Sequence, residues 1–142
     1  MVSSRNDGSL VLRVEVAQTR MLFAADVGAS VEAKMIDQSV PLDADLLKVG
    51  HHGSRHSTTS RFLAAVAPTH AVVSAPCDPA RGLPNDRTLG RLNEAGIHFG
   101  WTGRDGAVSF SLAGGAPERQ ALLGWGERRR CRGRNAIKRL ER

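Results

Sequence analysis

The chain contains no tyrosine, and phenylalanine and tryptophan bring its aromatic share to only 4%, which argues against a platform of rings for stacking nucleic-acid bases. Trp101 is therefore assigned to core packing in an expected strand. Cysteine is scarce: Cys77 and Cys131 are far apart and lie in unlike surroundings. That excludes a metal knuckle or a disulfide framework and leaves two thiols expected to be free. No apolar run is long enough to cross a bilayer, and the N-terminus lacks the basic segment, hydrophobic run and cleavage site of a secretory signal. The chain as given is thus expected to be soluble, with its compartment unassigned. A serine-hydrolase site is also missing. Ser54, Ser57, Thr58 and Ser60 lie near His56, but no acid partner or nucleophile elbow accompanies them, and helix capping accounts for the cluster.

What is present fits one small domain with a single core, since the chain has 142 residues. The net charge of +6 owes much to the last fifteen residues, which hold Arg128, Arg129, Arg130, Arg132, Arg134, Lys138, Arg139 and Arg142. Such a tail attracts nucleic acid through counterion release, although a solvated tail is the plainer reading. The periodic pattern fades at Gly114-Gly115-Ala116-Pro117, so residues 1–113 are read as the domain and 114–142 as a disordered basic linker and tail.

Within the domain, Leu10 to Val16 alternates apolar and polar side chains as a half-buried strand does, and Gln18-Thr19 turns the chain into a second strand from Met21 to Ala25. Ala29 to Ile36 has helical spacing, Asp45 to Val49 reads as a strand, and Arg61 to Val66 as a helix stopped by Pro68. His70 to Ser74 is a buried strand, followed by an irregular loop from Ala75 to Asn85. The spacing then predicts a helix over Asp86 to Ala95 with Gly96 as its stop, a strand over His98 to Trp101, and a tight Asp105-Gly106 hairpin into Ala107 to Leu112. Strands and helices alternate, which predicts an α/β fold with a mixed sheet and helices on one face.

Chemistry concentrates at two strand ends. Leu46-Leu47-Lys48-Val49-Gly50-His51-His52-Gly53-Ser54 delivers two adjacent imidazoles to an open turn, an arrangement suited to zinc or manganese. Arg20 to Gly28 ends a second strand on one carboxylate, Asp26, which either bridges cations or caps the following helix. Arg55, after the turn, either meets a substrate phosphate or is simply solvated. His70 and His98 are read as ordinary strand histidines.

These segments resemble the C-terminal metallo-β-lactamase-fold domain of the ComEC-type competence proteins. Asn6-Asp7-Gly8-Ser9-Leu10-Val11-Leu12-Arg13-Val14 is similar to the family's N-x-x-S-L-V-L-x-L strand. Ala44 to Ser54 is similar to its A-D-x-L-K-V-x-H-H-G-S block, and Thr102 to Phe110 to its T-x-x-D-G-A-x-x-F hairpin. The resemblance covers roughly residues 6 to 112. It implies the second half of an αββα fold, and a metal-dependent hydrolase that cuts the phosphodiesters of the non-transported strand in DNA uptake, beside a membrane channel domain. It also implies Asp26 and His52 as metal ligands for zinc or manganese, His51 and Asp26 as catalytic, and Ser54 and Arg55 as substrate-binding, with the roles of His51 and His52 open to exchange.

Three departures accompany the resemblance. The family's H-x-H-x-D-H motif, which supplies most ligands, occurs nowhere in the sequence; Leu83 stands where relatives read G-H-P; and Ala25 replaces glycine in T-G-D. Two ligands make no tight zinc site. The chain is accordingly expected to be a fragment or a degenerate member, inactive by itself, with the other half acting in trans as one alternative. A non-catalytic remnant that binds nucleic acid through its tail is a second, and an unrelated α/β module a third.

Overall fold

The computed structural model describes residues 5–77, 81–112 and 115–120. Five strands form one sheet in chain order: β1 (Leu12–Val16), β2 (Thr19–Phe23), β3 (Leu46–Lys48), β4 (His70–Val73) and β5 (His98–Trp101). The first pair is antiparallel, and β2 through β5 run parallel. The β1–β2 connection is made by Ala17 and Gln18, both at positive φ (47° and 69°), one residue earlier than the sequence suggests. Two left-handed residues give a hairpin turn whose twist matches the strands.

Crossovers between the parallel strands are carried by α1 (Ala29–Asp37), α2 (Ser60–Val66) and α3 (Asp86–Glu94). Their ends follow local chemistry. Thr59 Oγ1 accepts from Phe62 N–H to start α2, Asn85 Oδ1 accepts from Arg87 N–H to start α3, and Gly96 at φ 69° follows the end of α3. Phe62, Leu63 and Val66 of α2 and Leu89 and Leu92 of α3 pack with Leu22, Leu47, Ala71 and Val73 of the sheet into one core. Trp101 joins that core with no exposed surface, and its indole N–H donates to the Ala75 carbonyl at 2.9 Å. The result is a mixed α/β sheet with helices on one face, consistent with half of an αββα arrangement.

The second face is only partly covered. On it, Leu12, Val16 and Phe23 are each between 41% and 48% exposed. At its β4–β5 side, Phe110 meets the His70 ring edge-on, and His70 lies 5.7 Å from the His98 ring between centroids. The expected Asp105-Gly106 hairpin does not form: Thr102–Asp105 is one helical turn, α4, and β6 (Ser109–Ser111) pairs antiparallel with β7 (Glu118–Gln120), in the segment read as linker. The reason is that Asp105 is spent on its own turn. Its carboxylate accepts from Trp101 N–H at 2.9 Å and pairs with Arg104 at 2.6 Å and Arg119 at 3.2 Å. A second correction concerns Cys77, which is disulfide-bonded and not a free thiol. Disulfides depend on how closely two Cα atoms approach in space, which separation along the chain does not give. Cys131 and the rest of the basic tail lie outside the described residues.

Two measurements check this packing. Burial alone would raise the Asp105 carboxyl, but hydrogen bonds from Arg104 and Trp101 N–H, and the charges of Arg104 and Arg119, outweigh it and hold it below the ordinary value. A group lowered in the folded state stabilises fully above its unfolded pKa, and that contribution is lost as pH falls through the folded value. Asp105→Asn is therefore less stable than the native chain at neutral pH and loses less stability between about pH 5 and 2 in urea titrations. Gly103 lies against the Ala75–Cys77 backbone so closely that a Cβ would fall 2.4 Å from Cys77 N and 2.6 Å from Ala75 O. Gly103→Ala lowers the urea midpoint by an amount equivalent to about 3 kcal/mol or more.

Candidate functional site

Parallel pairing of Met21–Phe23 with Leu46–Lys48 sets the carboxyl ends of β2 and β3 side by side. This is the edge at which open parallel sheets bind ligands. A backbone hydrogen bond from His51 N–H to the Ala25 carbonyl, 2.8 Å, then ties the two post-strand loops together. Asp26 and His52 meet as a result: His52 Nε2 lies 3.8 Å from Asp26 Oδ1. His52 Nδ1 donates to the Ser74 carbonyl at 2.7 Å, a bond that orients the ring so that Nε2 faces Asp26. Asp26 does not cap α1, whose N-cap is Gly28 without any side-chain bond. The capping alternative for this carboxylate is thereby removed.

His51 points to a different partner. Its Nε2 is 3.2 Å from Asn6 Nδ2, and since an amide nitrogen can only donate, Nε2 accepts. The two adjacent imidazoles thus differ in the chain itself, His52 beside the carboxylate and His51 held by the turn that precedes β1. Ser54 is buried, and its Oγ accepts from His56 N–H; Arg55 is exposed, and its Nε donates to His56 Nε2 at 2.8 Å. Among the described residues no group of three or more potential metal-ligating side chains comes together.

The turn that presents the histidines is strained. His51, His52 and Gly53 are three consecutive left-handed residues (φ 47°, 54° and 77°), and Ala25 opposite them is another (φ 46°). Each non-glycine residue there costs about 1–2 kcal/mol. A buried polar network offsets it. Glu32 of α1, with no exposed surface, accepts from the backbone N–H groups of Thr58 and Thr59; Thr58 Oγ1 accepts from Gly50 N–H at 3.2 Å; and Ser57 Oγ donates to the Gly50 carbonyl at 2.9 Å. From the far side, Asn85 N–H donates to the Gly53 carbonyl and Thr88 Oγ1 to the Ser54 carbonyl, each at 2.8 Å. These bonds also consume Ser57 and Thr58, so the hydroxyl cluster near His56 is structural.

Sequence reasoning missed Glu32, Asn6 as a partner of His51, and Lys48. Lys48 is half-buried on the second face; loss of solvent pushes its ammonium below the usual lysine value, and the nearby Asp26 carboxylate partly counters this. A carboxylate three residues after a helix start, as at Glu32, resembles any solvated helix residue in one dimension, so no signal marked it. Beyond His52 an open cleft of about 410 Å³ is lined by Ser74, Ala75, Pro76, Thr102 and Gly103.

The chain is 30% identical to ComE operon protein 3 of Bacillus subtilis (strain 168) over 108 residues, 76% of this chain and 14% of that protein. It is 32% identical to competence protein ComA of Neisseria gonorrhoeae over 118 residues, 82% of this chain and 17% of that protein. The chain belongs to the ComEC-type competence family. An uncharacterized Escherichia coli (strain K12) protein, YcaI, is 30% identical over 112 residues, 77% of this chain and 15% of that protein. No family model matches the chain. The chain thus spans about one sixth or less of the length of these relatives. Among the described residues no helix is long and apolar enough to cross a membrane.

Within the family motif, Ala25 now has a physical meaning: the glycine of T-G-D would occupy this left-handed position without strain. Leu83 has one too. Pro84 and Asn85 lie directly on Gly53, which puts the G-H-P position beside the histidine turn, and leucine brings it neither lone pair nor proton. Ala25→Gly is expected to raise stability by about 0.5–1 kcal/mol in urea titration, against the usual trend for glycine. Gly53→Ala, whose Cβ would fall 2.7 Å from Pro84 Cβ at positive φ, lowers it by about 2 kcal/mol or more and shifts the His52 imidazole resonances.

Proposed function

We propose that this chain is the second half of a metal-dependent phosphodiesterase domain acting on DNA during competence, inactive until a complementary half supplies the remaining ligands. The observation that carries the reading is the His52 imidazole, fixed through Nδ1 by the Ser74 carbonyl with Nε2 facing Asp26 at 3.8 Å. An imidazole oriented by a carbonyl behind it and a carboxylate in front suit zinc or manganese, and these two side chains would hold the ion. When bound, the ion supplies Lewis acidity toward water and a phosphodiester oxygen. Asp26 contributes negative charge, His52 a neutral nitrogen donor, and Lys48 a cation beside the same rim. His51, held by Asn6, is positioned for substrate or proton handling next to the ligands.

The half-exposed apolar side chains of Leu12, Val16 and Phe23 support the other part of the reading, because sheets bury such faces against a second layer. A decayed remnant is the second reading, favoured by Leu83 and Ala25, both of which weaken the neighbourhood of the ligands. DNA upstream of Met1 encoding H-x-H-x-D-H in the same or an adjacent frame supports the half-domain over the remnant.

Metal analysis of the purified chain after desalting from zinc or manganese tests the proposal, together with cleavage of single-stranded DNA. The expected result is retention of well under one ion per chain, abolished in His52→Ala and in Asp26→Asn, with no turnover. One tightly held ion per chain with catalytic cleavage would overturn the half-site reading.

A further inference from the structure

The loop that leaves β4 reaches Cys77 through Ser74, Ala75 and Pro76, and those three residues line the cleft beyond His52 together with Thr102 and Gly103. Gly103 lies against the Cys77 backbone N–H, and Cys77 packs partly buried on the core, so the cysteine sits beside the cleft. It is disulfide-bonded, and the sequence holds a single other cysteine, Cys131. Within one chain the partner is therefore Cys131. A disulfide holds its two Cα atoms about 6 Å apart. The bond thus ties the segment Arg128-Arg129-Arg130-Cys131-Arg132-Gly133-Arg134 to the cleft. Its five arginines all stand within three residues of Cys131, about 10 Å of extended chain.

Among the described residues the cleft lining contributes no lysine, arginine, aspartate or glutamate; its polar side chains are the His52 ring and the hydroxyls of Ser74 and Thr102. Asp26 faces His52 Nε2, and Lys48 lies near that carboxylate. Asp78 adjoins Cys77 and Glu127 adjoins Arg128, so five guanidinium groups outnumber the carboxylates closest in sequence to the two cysteines. Guanidinium forks match phosphate oxygens in charge and in shape. We infer that a Cys77–Cys131 disulfide fastens the arginine cluster beside His52, so that the cleft binds phosphate groups in the oxidised chain and releases them on reduction. The bond turns a chance encounter between tail and cleft into an intramolecular one, with an effective concentration of millimolar order. Release is a two-electron thiol–disulfide exchange with a dithiol. The dithiol gives up two electrons and two protons, the S–S bond breaks to the Cys77 and Cys131 thiols, and the dithiol leaves as its own disulfide. The choice of phosphate as the anion rests on the proposed function, whereas the fastening itself does not.

Proton NMR of the full chain in EDTA, with inorganic pyrophosphate as the probe, tests it. The oxidised native chain is expected to show a saturable shift of the His52 imidazole resonances. After treatment with dithiothreitol, and in Cys131→Ser, the midpoint of that shift rises roughly tenfold. Arg128→Gln/Arg129→Gln/Arg130→Gln weakens binding to a similar degree while keeping the disulfide, and urea titration checks that each variant folds. Mass spectrometry of a digest made without reductant is expected to find the Cys77 and Cys131 peptides joined within one chain. Covalent dimers linked through Cys131, equal midpoints with and without dithiothreitol, undiminished binding in the glutamine variant, or no His52 shift in the oxidised chain overturns the inference. Because EDTA is present throughout, failure of the metal pair would leave this result untouched, and the reverse also holds.

Discussion

The backbone hydrogen bond from His51 N–H to the Ala25 carbonyl extends the junction between two parallel strand ends, already linked by Ala24 N–H to the Lys48 carbonyl, that are distant in sequence. Without it, the β2 and β3 loops would be free to diverge beyond Ala24 and Lys48, and the carboxylate of Asp26 would lose its fixed relation to His52. The bond forms only because Ala25, His51 and His52 adopt left-handed conformations, each of which opposes folding locally. The approach of His52 to Asp26 therefore depends on whatever holds the strained backbone in place.

That task falls to groups removed from the rim. Glu32 neutralises two backbone N–H groups at the start of α2, Thr58 and Ser57 hold both polar groups of Gly50, and α3 anchors Gly53 and Ser54 from the opposite side. Each helix thus has two duties, to cover the core and to fix one part of the histidine turn. A buried carboxylate is tolerable here because every bond it accepts comes from an otherwise unsatisfied helix-terminal donor.

Placement of charge separates the two ends of the sheet. Asp43 and Asp45 bind Arg13 and Arg20 at the end where β3 begins, so that end is internally neutral. At the rim where β2 and β3 end, the Lys48 ammonium donates to the Val49 carbonyl and lies near the Asp26 carboxylate, which partly counters its loss of solvent. The apolar second face lies between these two ends, and the Asp26–His52 pair sits at its upper edge.

The chain's periodicity determined a good deal alone. The three long helices, the order of the five strands and the core role of Trp101 follow from 3.6- and 2-residue patterns with local caps, because those signals act over a few residues. The A-D-x-L-K-V-x-H-H-G-S block likewise marked His51 and His52 as candidates, and the carboxylate that ends the preceding strand marked Asp26. What only tertiary structure decided is how these residues differ: His52 beside the carboxylate, His51 on Asn6, Ser54 turned to backbone, Asp105 closing its own turn in place of a hairpin, and Cys77 in a disulfide. Each of those outcomes depends on groups tens of residues apart meeting in space, or on a backbone angle held against its local preference, and neither quantity is written in the neighbouring sequence.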